Sequence, residues 1–291
     1  MRAATLLLGC LFMLSLVCVC QGQEAKERIQ SVDPNAMPII KYLWYGFDLL
    51  DIRRGIEGRI DVELSATVQS KHIWHGLDLM DDHGVFFPVA GVSLGDTGFA
   101  AKIIGAYALS SGFERSDELN YAGFYSGGFL EDTRYATDFT ANYFYYGKPK
   151  VSRRMADAQE VGASFSWPKL LGDASLVPSY YVGCIWACRA HSGLSGITGF
   201  IHVFGLAYDL KVDDFWPGGQ EQSFRFSGDI TYNDGFGGVD QDWSHAVLGL
   251  STSLGSGNLG ITPYINYQIS MEDTVNSEDE LWSGVNFTYR F

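Results

Sequence analysis

Leu281-Trp282-Ser283-Gly284-Val285-Asn286-Phe287-Thr288-Tyr289-Arg290-Phe291 decides the reading of this chain. Counting back from Phe291, every second residue is apolar or small: Tyr289, Phe287, Val285, Ser283 and Leu281. Between them stand Arg290, Thr288, Asn286 and Gly284, which are polar or tiny. Successive strand side chains point to opposite faces, so this is a strand with one oily and one wet side. A soluble protein has little reason to stop abruptly on such a strand. A cylinder of strands in lipid does, because its last strand must close the wall and offer aromatics to the bilayer.

The same period recurs upstream in about twelve segments, each close to the ~9–11 residues that a tilted strand needs to cross a bilayer. The clearest is 259–272, where Leu259, Ile261, Pro263, Ile265, Tyr267, Ile269 and Met271 alternate with Gly260, Thr262, Tyr264, Asn266, Gln268, Ser270 and Glu272. Segments 60–71, 137–146 and 223–233 are nearly as clean. Blurred alternation over 84–95, 98–109, 118–126, 158–167, 174–187, 197–211, 243–255 and 280–291 completes the set. Short glycine-bearing turns follow the second, sixth and tenth strands, at Gly95–Gly98, Lys169–Asp173 and Gly255–Asn258. Longer charged connectors such as His75–His83, Lys148–Asp157 and Asp273–Asp279 follow odd-numbered ones. Connectors 127–135 and 212–222 are longer than this alternation wants. Trp74, Trp167, Trp186, Trp216, Trp243 and Trp282 fall at or just beyond strand ends, where an interfacial belt would use them.

The predicted fold is therefore all-β: a transmembrane antiparallel β-barrel of about 12 strands over 58–291, in the outer membrane. A secreted β-sandwich also alternates, but with its apolar face inward. The best helical span, the charge-free run 190–208, is broken by four glycines and two histidines.

At the front, Met1-Arg2 and the apolar run 3–19 lead into polar Gln21-Gly22-Gln23-Glu24, which reads as a cleaved signal peptide over 1–22. Lipidation at Cys20 or Cys18 fits less well, because each follows Val rather than a small residue. Residues 23–57, punctuated by Pro34 and Pro38, read as a periplasmic extension.

Removing 1–22 takes one of the 20 bases and none of the 34 acids, which moves the net charge from −14 to −15. That argues against nucleic acid as a partner, since phosphate neutralisation needs clustered Lys and Arg. A mean hydropathy of zero is too polar for a bundle of membrane helices. With only Cys184 and Cys188 beyond the signal, no disulfide framework is available.

Ser70-Lys71-His72-Ile73-Trp74-His75-Gly76-Leu77-Asp78-Leu79 is similar to a segment of an uncharacterised family of bacterial porin-like proteins, in which the first strand ends in an aromatic, a basic residue and Gly before a loop. His75 stands where that pattern has Arg. The last strand likewise resembles the C-terminal assembly signal of bacterial outer-membrane proteins, carried here by Phe287, Tyr289 and Phe291. These resemblances imply a small outer-membrane barrel and no particular substrate.

Catalytic patterns are weak. Barrel lipases place His and Ser two apart on one strand face, and no His here has Ser at the second following position. His191-Ser192 and Ser244-His245 are adjacent, so in regular strands they would diverge. Asp81-Asp82-His83 is the one protease-like acidic cluster, and loop acids are ordinarily just solvated. Cys184, Cys188, His191 and His202 suggest a metal cluster at first sight, but there is no second Cys pair and Cys184 would face lipid, so neither metal nor cofactor is expected.

What remains is the lumen, lined by Asp61, Glu63, Lys71, Lys102, Asp138, Glu160, Arg225, Asp229, Glu272 and Arg290. Of these, Glu63, Lys102, Asp138, Arg225, Asp229 and Arg290 are the pore-lining candidates. The sequence thus predicts a non-enzymatic porin-like channel for small hydrophilic solutes, weakly cation-preferring. The alternatives are a closed structural or surface-interaction barrel and, after that, a barrel enzyme of lipase or protease type. Expected partners are outer-membrane lipid and lipopolysaccharide, the barrel-assembly machinery and small solutes.

Overall fold

The computed structural model describes residues 60–151, 155–172, 176–189, 194, 196–216, 220–271 and 275–291. The expected signal peptide 1–22 and the extension 23–57 lie outside these residues, as do His191 and Glu272.

Twelve long strands follow one another: β1 (Ile60–Gln69), β2 (Val85–Leu94), β3 (Phe99–Ala108), β4 (Glu118–Phe129), β5 (Thr137–Gly147), β6 (Ala158–Ser166), β7 (Leu176–Ala187), β8 (Gly199–Trp216), β9 (Gln220–Asp234), β10 (Asp242–Thr252), β11 (Leu259–Ser270) and β12 (Glu280–Arg290). Each pairs antiparallel with its neighbours in sequence. The sheet then closes on itself, with β12 against β1 from Glu63↔Arg290 to Gln69↔Gly284. Closure removes the unpaired sheet edges, so every strand backbone finds its partners inside the wall, which a hydrocarbon surround requires.

The polarity is inverted relative to a soluble protein. Leu64, Ile103, Val161, Leu248, Ile265 and Phe287 stand exposed on the outside, while Thr67, Asn120, Thr140, Ser166, Asn266 and Gln268 are buried inside. Burying a Val, Leu, Ile or Phe side chain is worth about 1.5–3 kcal/mol, so leaving whole rows of them in water would oppose folding. In lipid the same rows stabilise the wall. The chain is an outer-membrane β-barrel with an oily exterior and a polar interior.

One end of the barrel carries short turns, the other long loops, as bacterial barrels arrange them. Both β1 and β12 reach the turn end. The connector expected over 212–222 is mostly strand: β8 and β9 stay paired through Val212↔Gln222 and, past an irregularity, Trp216↔Gln220. Charged residues there read as loop but sit on a hairpin that keeps pairing. Likewise β4 runs to Phe129, shortening the 127–135 connector to 130–136.

The tryptophan belt is only partly present. Trp243 is exposed on the outer face, but Trp74 and Trp282 are buried inside the barrel. Trp282 shares its face with Glu280, Gly284 and Asn286, and its indole N–H donates to the Asn266 amide oxygen at 3.2 Å with that amide suitably turned. Their positions at strand ends reflect the lumen's loop end rather than the lipid boundary.

Candidate functional site: a loop seated in a polar lumen

Loop 70–84, the first long loop, folds into the barrel. The segment that resembles the porin-like family does not close β1, which stops at Gln69. It forms a small hairpin instead, Ile73–Trp74 paired with Leu77–Asp78. His72 and Met80 are fully buried and Trp74 nearly so. The hairpin spans two apolar patches on the inner wall. Trp74 meets Tyr146 and the inward-turned Phe236 edge-on, at ring-centroid distances of 5.3 and 5.4 Å. Ile73 packs against Val247, Tyr264 and Trp282 on the other side. Trp74, Tyr146 and Phe236 join Phe87, Ile104, Phe144, Ile185 and Ile201 in one core inside the loop half of the barrel, and the Ile73 patch is a second, smaller one.

Polar contacts fix the hairpin tip. His75 Nε2 lies 3.2 Å from Glu160 Oε2, and that buried carboxylate also accepts the hydroxyls of Tyr146, at 2.9 Å, and Tyr181. Gln268 Nε2 donates to the Gly76 carbonyl at 2.9 Å. Gly76 adopts φ +88°, and a Cβ there would lie 2.6 Å from His245 Nδ1. Only glycine both takes that backbone and tolerates that approach.

Ser244 and His245 do not diverge. Thr231 pairs with His245 and Tyr232 with Trp243, so Ser244 is the extra residue of a bulge and both side chains turn inward. Ser244 Oγ is 2.9 Å from His245 Nδ1, and both residues are buried under the hairpin. A bulge re-aims side chains in this way. The pair is walled off from lipid, and the imidazole serves as the surface on which Gly76 rests. Asp81 and Asp82 sit in a tight turn with φ of 47° and 64°, Asp82 bonded to Lys71, while His83 Nδ1 bonds the Met80 carbonyl at 3.1 Å. Lys71, placed in β1 by its periodicity, belongs to the loop and also pairs with Glu280.

The turn half of the lumen is lined by small and charged side chains. Lys102 is buried with Nζ 3.3 Å from Glu63 Oε1, and Arg290, half exposed at the mouth, reaches Glu63 Oε2 from 3.5 Å. Arg225 makes a two-pronged contact with Asp209, Nε to Oδ1 at 2.7 Å and a second guanidinium nitrogen to Oδ2 at 2.5 Å. Asp138 faces inward beside Gly128, and Asp229 faces inward further up β9. Periodicity alone misses Asp209, because alternation in β8 is blurred. At the loop rim Glu118 pairs with Lys148 at 2.6 Å and Asp117 with Lys150 at 2.8 Å. Phe287 and Tyr289 point outward, and Tyr289 packs edge-on against Phe291 at 4.9 Å, whose backbone N–H bonds the Val62 carbonyl.

Between the hairpin and the wall of β8 to β12 lies a cavity of about 40 Å³. A buried water needs ~10–15 Å³ measured this way, so the space suits a few waters rather than a sugar.

No family model matches the chain, and no curated protein matches it in sequence. Among solved structures it is similar to an outer membrane channel from Pseudomonas putida F1 (10% identity, TM-score 0.49, covering 84% of this chain and 99% of that one). It is also similar to the KdgM porin (10% identity, TM-score 0.48, covering 79% and 99%). LpxR from Salmonella typhimurium follows at 11% identity and a TM-score of 0.44, covering 78% and 99%. These likenesses are distant and lend this chain no solute or chemistry; its fold stands on its own strand pairing.

Proposed function

We propose that this barrel is an outer-membrane channel for small hydrophilic solutes, weakly cation-preferring, with passage controlled by loop 70–84. The observation that carries the reading is the turn half of the lumen, where small residues surround a sparse set of charges instead of an apolar fill. Its inward groups are Asp61, Glu63, Asp138 and Asp209 against Lys102, Arg225 and Arg290, four acids to three bases, and a negative lining concentrates cations. Ion pairing leaves the preference modest. Lipid and lipopolysaccharide would surround the wall, and the barrel-assembly machinery would insert it.

One observation favours a second reading, a permanently closed structural barrel: the loop half is filled by the hairpin and the apolar wall. The two differ in one experiment. Purified protein and a variant lacking 73–79 are recorded in planar bilayers. A channel gives discrete conductance events in the wild type and larger, longer ones in the variant. Silence from both, with both barrels folded, would establish the closed barrel.

A further inference from the structure

We infer that the cavity beneath the hairpin is a binding station for one monovalent cation, held by Asp229, Thr231 and Gln268. Three buried oxygens that line it, Asp229 Oδ1, Thr231 Oγ1 and Gln268 Oε1, have no hydrogen-bond partner. Thr231 is 2% exposed and Gln268 fully buried. The direction of Gln268 is set, because its Nε2 is tied to the Gly76 carbonyl, and its oxygen points away from that bond. Each buried acceptor left without a partner costs about 1–3 kcal/mol, and a carboxylate costs more. Evolution has little reason to gather three of them around one space unless something there repays the cost.

The surroundings say what that is. Every unpartnered group here can accept, so the ligand must be positive or donor-rich. The lumen's own cations are occupied elsewhere: Arg225 on Asp209, Lys102 on Glu63 and Lys71 on Asp82 and Glu280. Of the neighbouring imidazoles, His245 meets Ser244 through Nδ1 and His75 meets Glu160 through Nε2. Asn266 offers these oxygens no donor, since with its amide suitably turned its nitrogen donates to the Ile265 carbonyl while its oxygen takes the Trp282 N–H. A cavity of about 40 Å³ admits an ion with two or three waters and excludes an organic solute. Calcium takes six to eight oxygens, commonly from several carboxylates, and magnesium demands a strict octahedron. One carboxylate, one amide oxygen and one hydroxyl, completed by water, match a singly charged ion and neutralise it. Asp78, Asp82 and Glu280, whose oxygens converge within 4.8 Å, are a different case, because the Lys71 ammonium is already bonded to two of them.

The inference deepens the channel reading and rests on it for the ion's route, placing a cation-selective step at the base of the loop. The test uses crystals of the full chain soaked in rubidium chloride. The expected result is an anomalous peak between Asp229, Thr231 and Gln268, abolished in Asp229→Asn and weakened in Thr231→Val. A wild-type crystal without that peak, or an equal peak in Asp229→Asn, would overturn the station. If Asp229→Asn fails to fold, Thr231→Val and Gln268→Met carry the comparison, and undiminished peaks in both overturn it equally. Bilayer recordings on the same preparation separate the two ideas: a peak without conductance keeps the site and rejects the channel, and conductance without a peak does the reverse.

Discussion

Substituting Gly76 by Ala should release the first loop. The residue sits at φ +88°, where an L side chain costs roughly 1–2 kcal/mol in backbone strain. The new Cβ would lie 2.6 Å from His245 Nδ1 and 2.7 Å from Cε1, so the ring must move and give up its contact with Ser244 Oγ, worth about 1 kcal/mol. Together these disfavour the seated hairpin by about 2–3 kcal/mol. At about 1.4 kcal/mol per tenfold, the ratio of released to seated loop rises on the order of thirty- to a hundredfold. Open probability in planar bilayers reads this directly. Gly112→Ala is the control: its φ is +98°, but nothing lies within 4 Å of its Cβ, and it sits in another loop. It should carry the backbone cost without changing open probability. If Gly76→Ala gates like wild type and like Gly112→Ala, the seated hairpin does not control passage.

Acid should act in the same direction. Burial pushes His72 down to about 4 from its ordinary 6.5, with the Glu118 carboxylate opposing this and Lys148 adding to it. A seated loop holds this imidazole neutral while a released one protonates, so the seated form is fully favoured above pH 6.5 and loses ground down to about pH 4. Release should rise by up to about tenfold per pH unit in that window, and His72→Phe should flatten the profile. Removing Arg225 while leaving Asp209, partly buried, without it should destabilise the barrel by up to about 3 kcal/mol, seen as a lower temperature for loss of the folded gel band, and removing both should recover much of it. Asp138→Asn should shift the reversal potential in a KCl gradient towards anions more than Asp279→Asn does. The difference should fade at 1 M salt as the Debye length shrinks to ~3 Å, whereas an anion preference in the wild type would mean that Lys102, Arg225 and Arg290 control the constriction.

The wall was legible because period two is imposed residue by residue. Ile261, Ile265 and Ile269 must all face lipid if any one does, and β11 at 259–270 differs from its 259–272 pattern only at the end. Features that need a second strand to define them were not. Asp209 meets Arg225 only once β8 and β9 are paired in register out to Trp216↔Gln220, through residues that read as one long charged connector. The bulge that brings Ser244 beside His245 is a register fact, invisible in one strand alone. Loop 70–84 looked like any outer loop, because nothing local tells a solvated Trp74 from one seated on Tyr146 and Phe236. The clue was compositional: Ile73, Trp74, Leu77, Leu79 and Met80 are a heavy apolar load for a loop in water.

Single-cysteine labelling along β11, in a background without Cys184 and Cys188, tests the inverted wall most directly. Cysteines at Ile261, Ile265 and Ile269 should react with lipid-phase reagents, and those at Thr262, Asn266 and Ser270 only with small water-soluble ones. The opposite pattern would mean an inward apolar core in a soluble protein and would contradict the barrel proposed for the membrane.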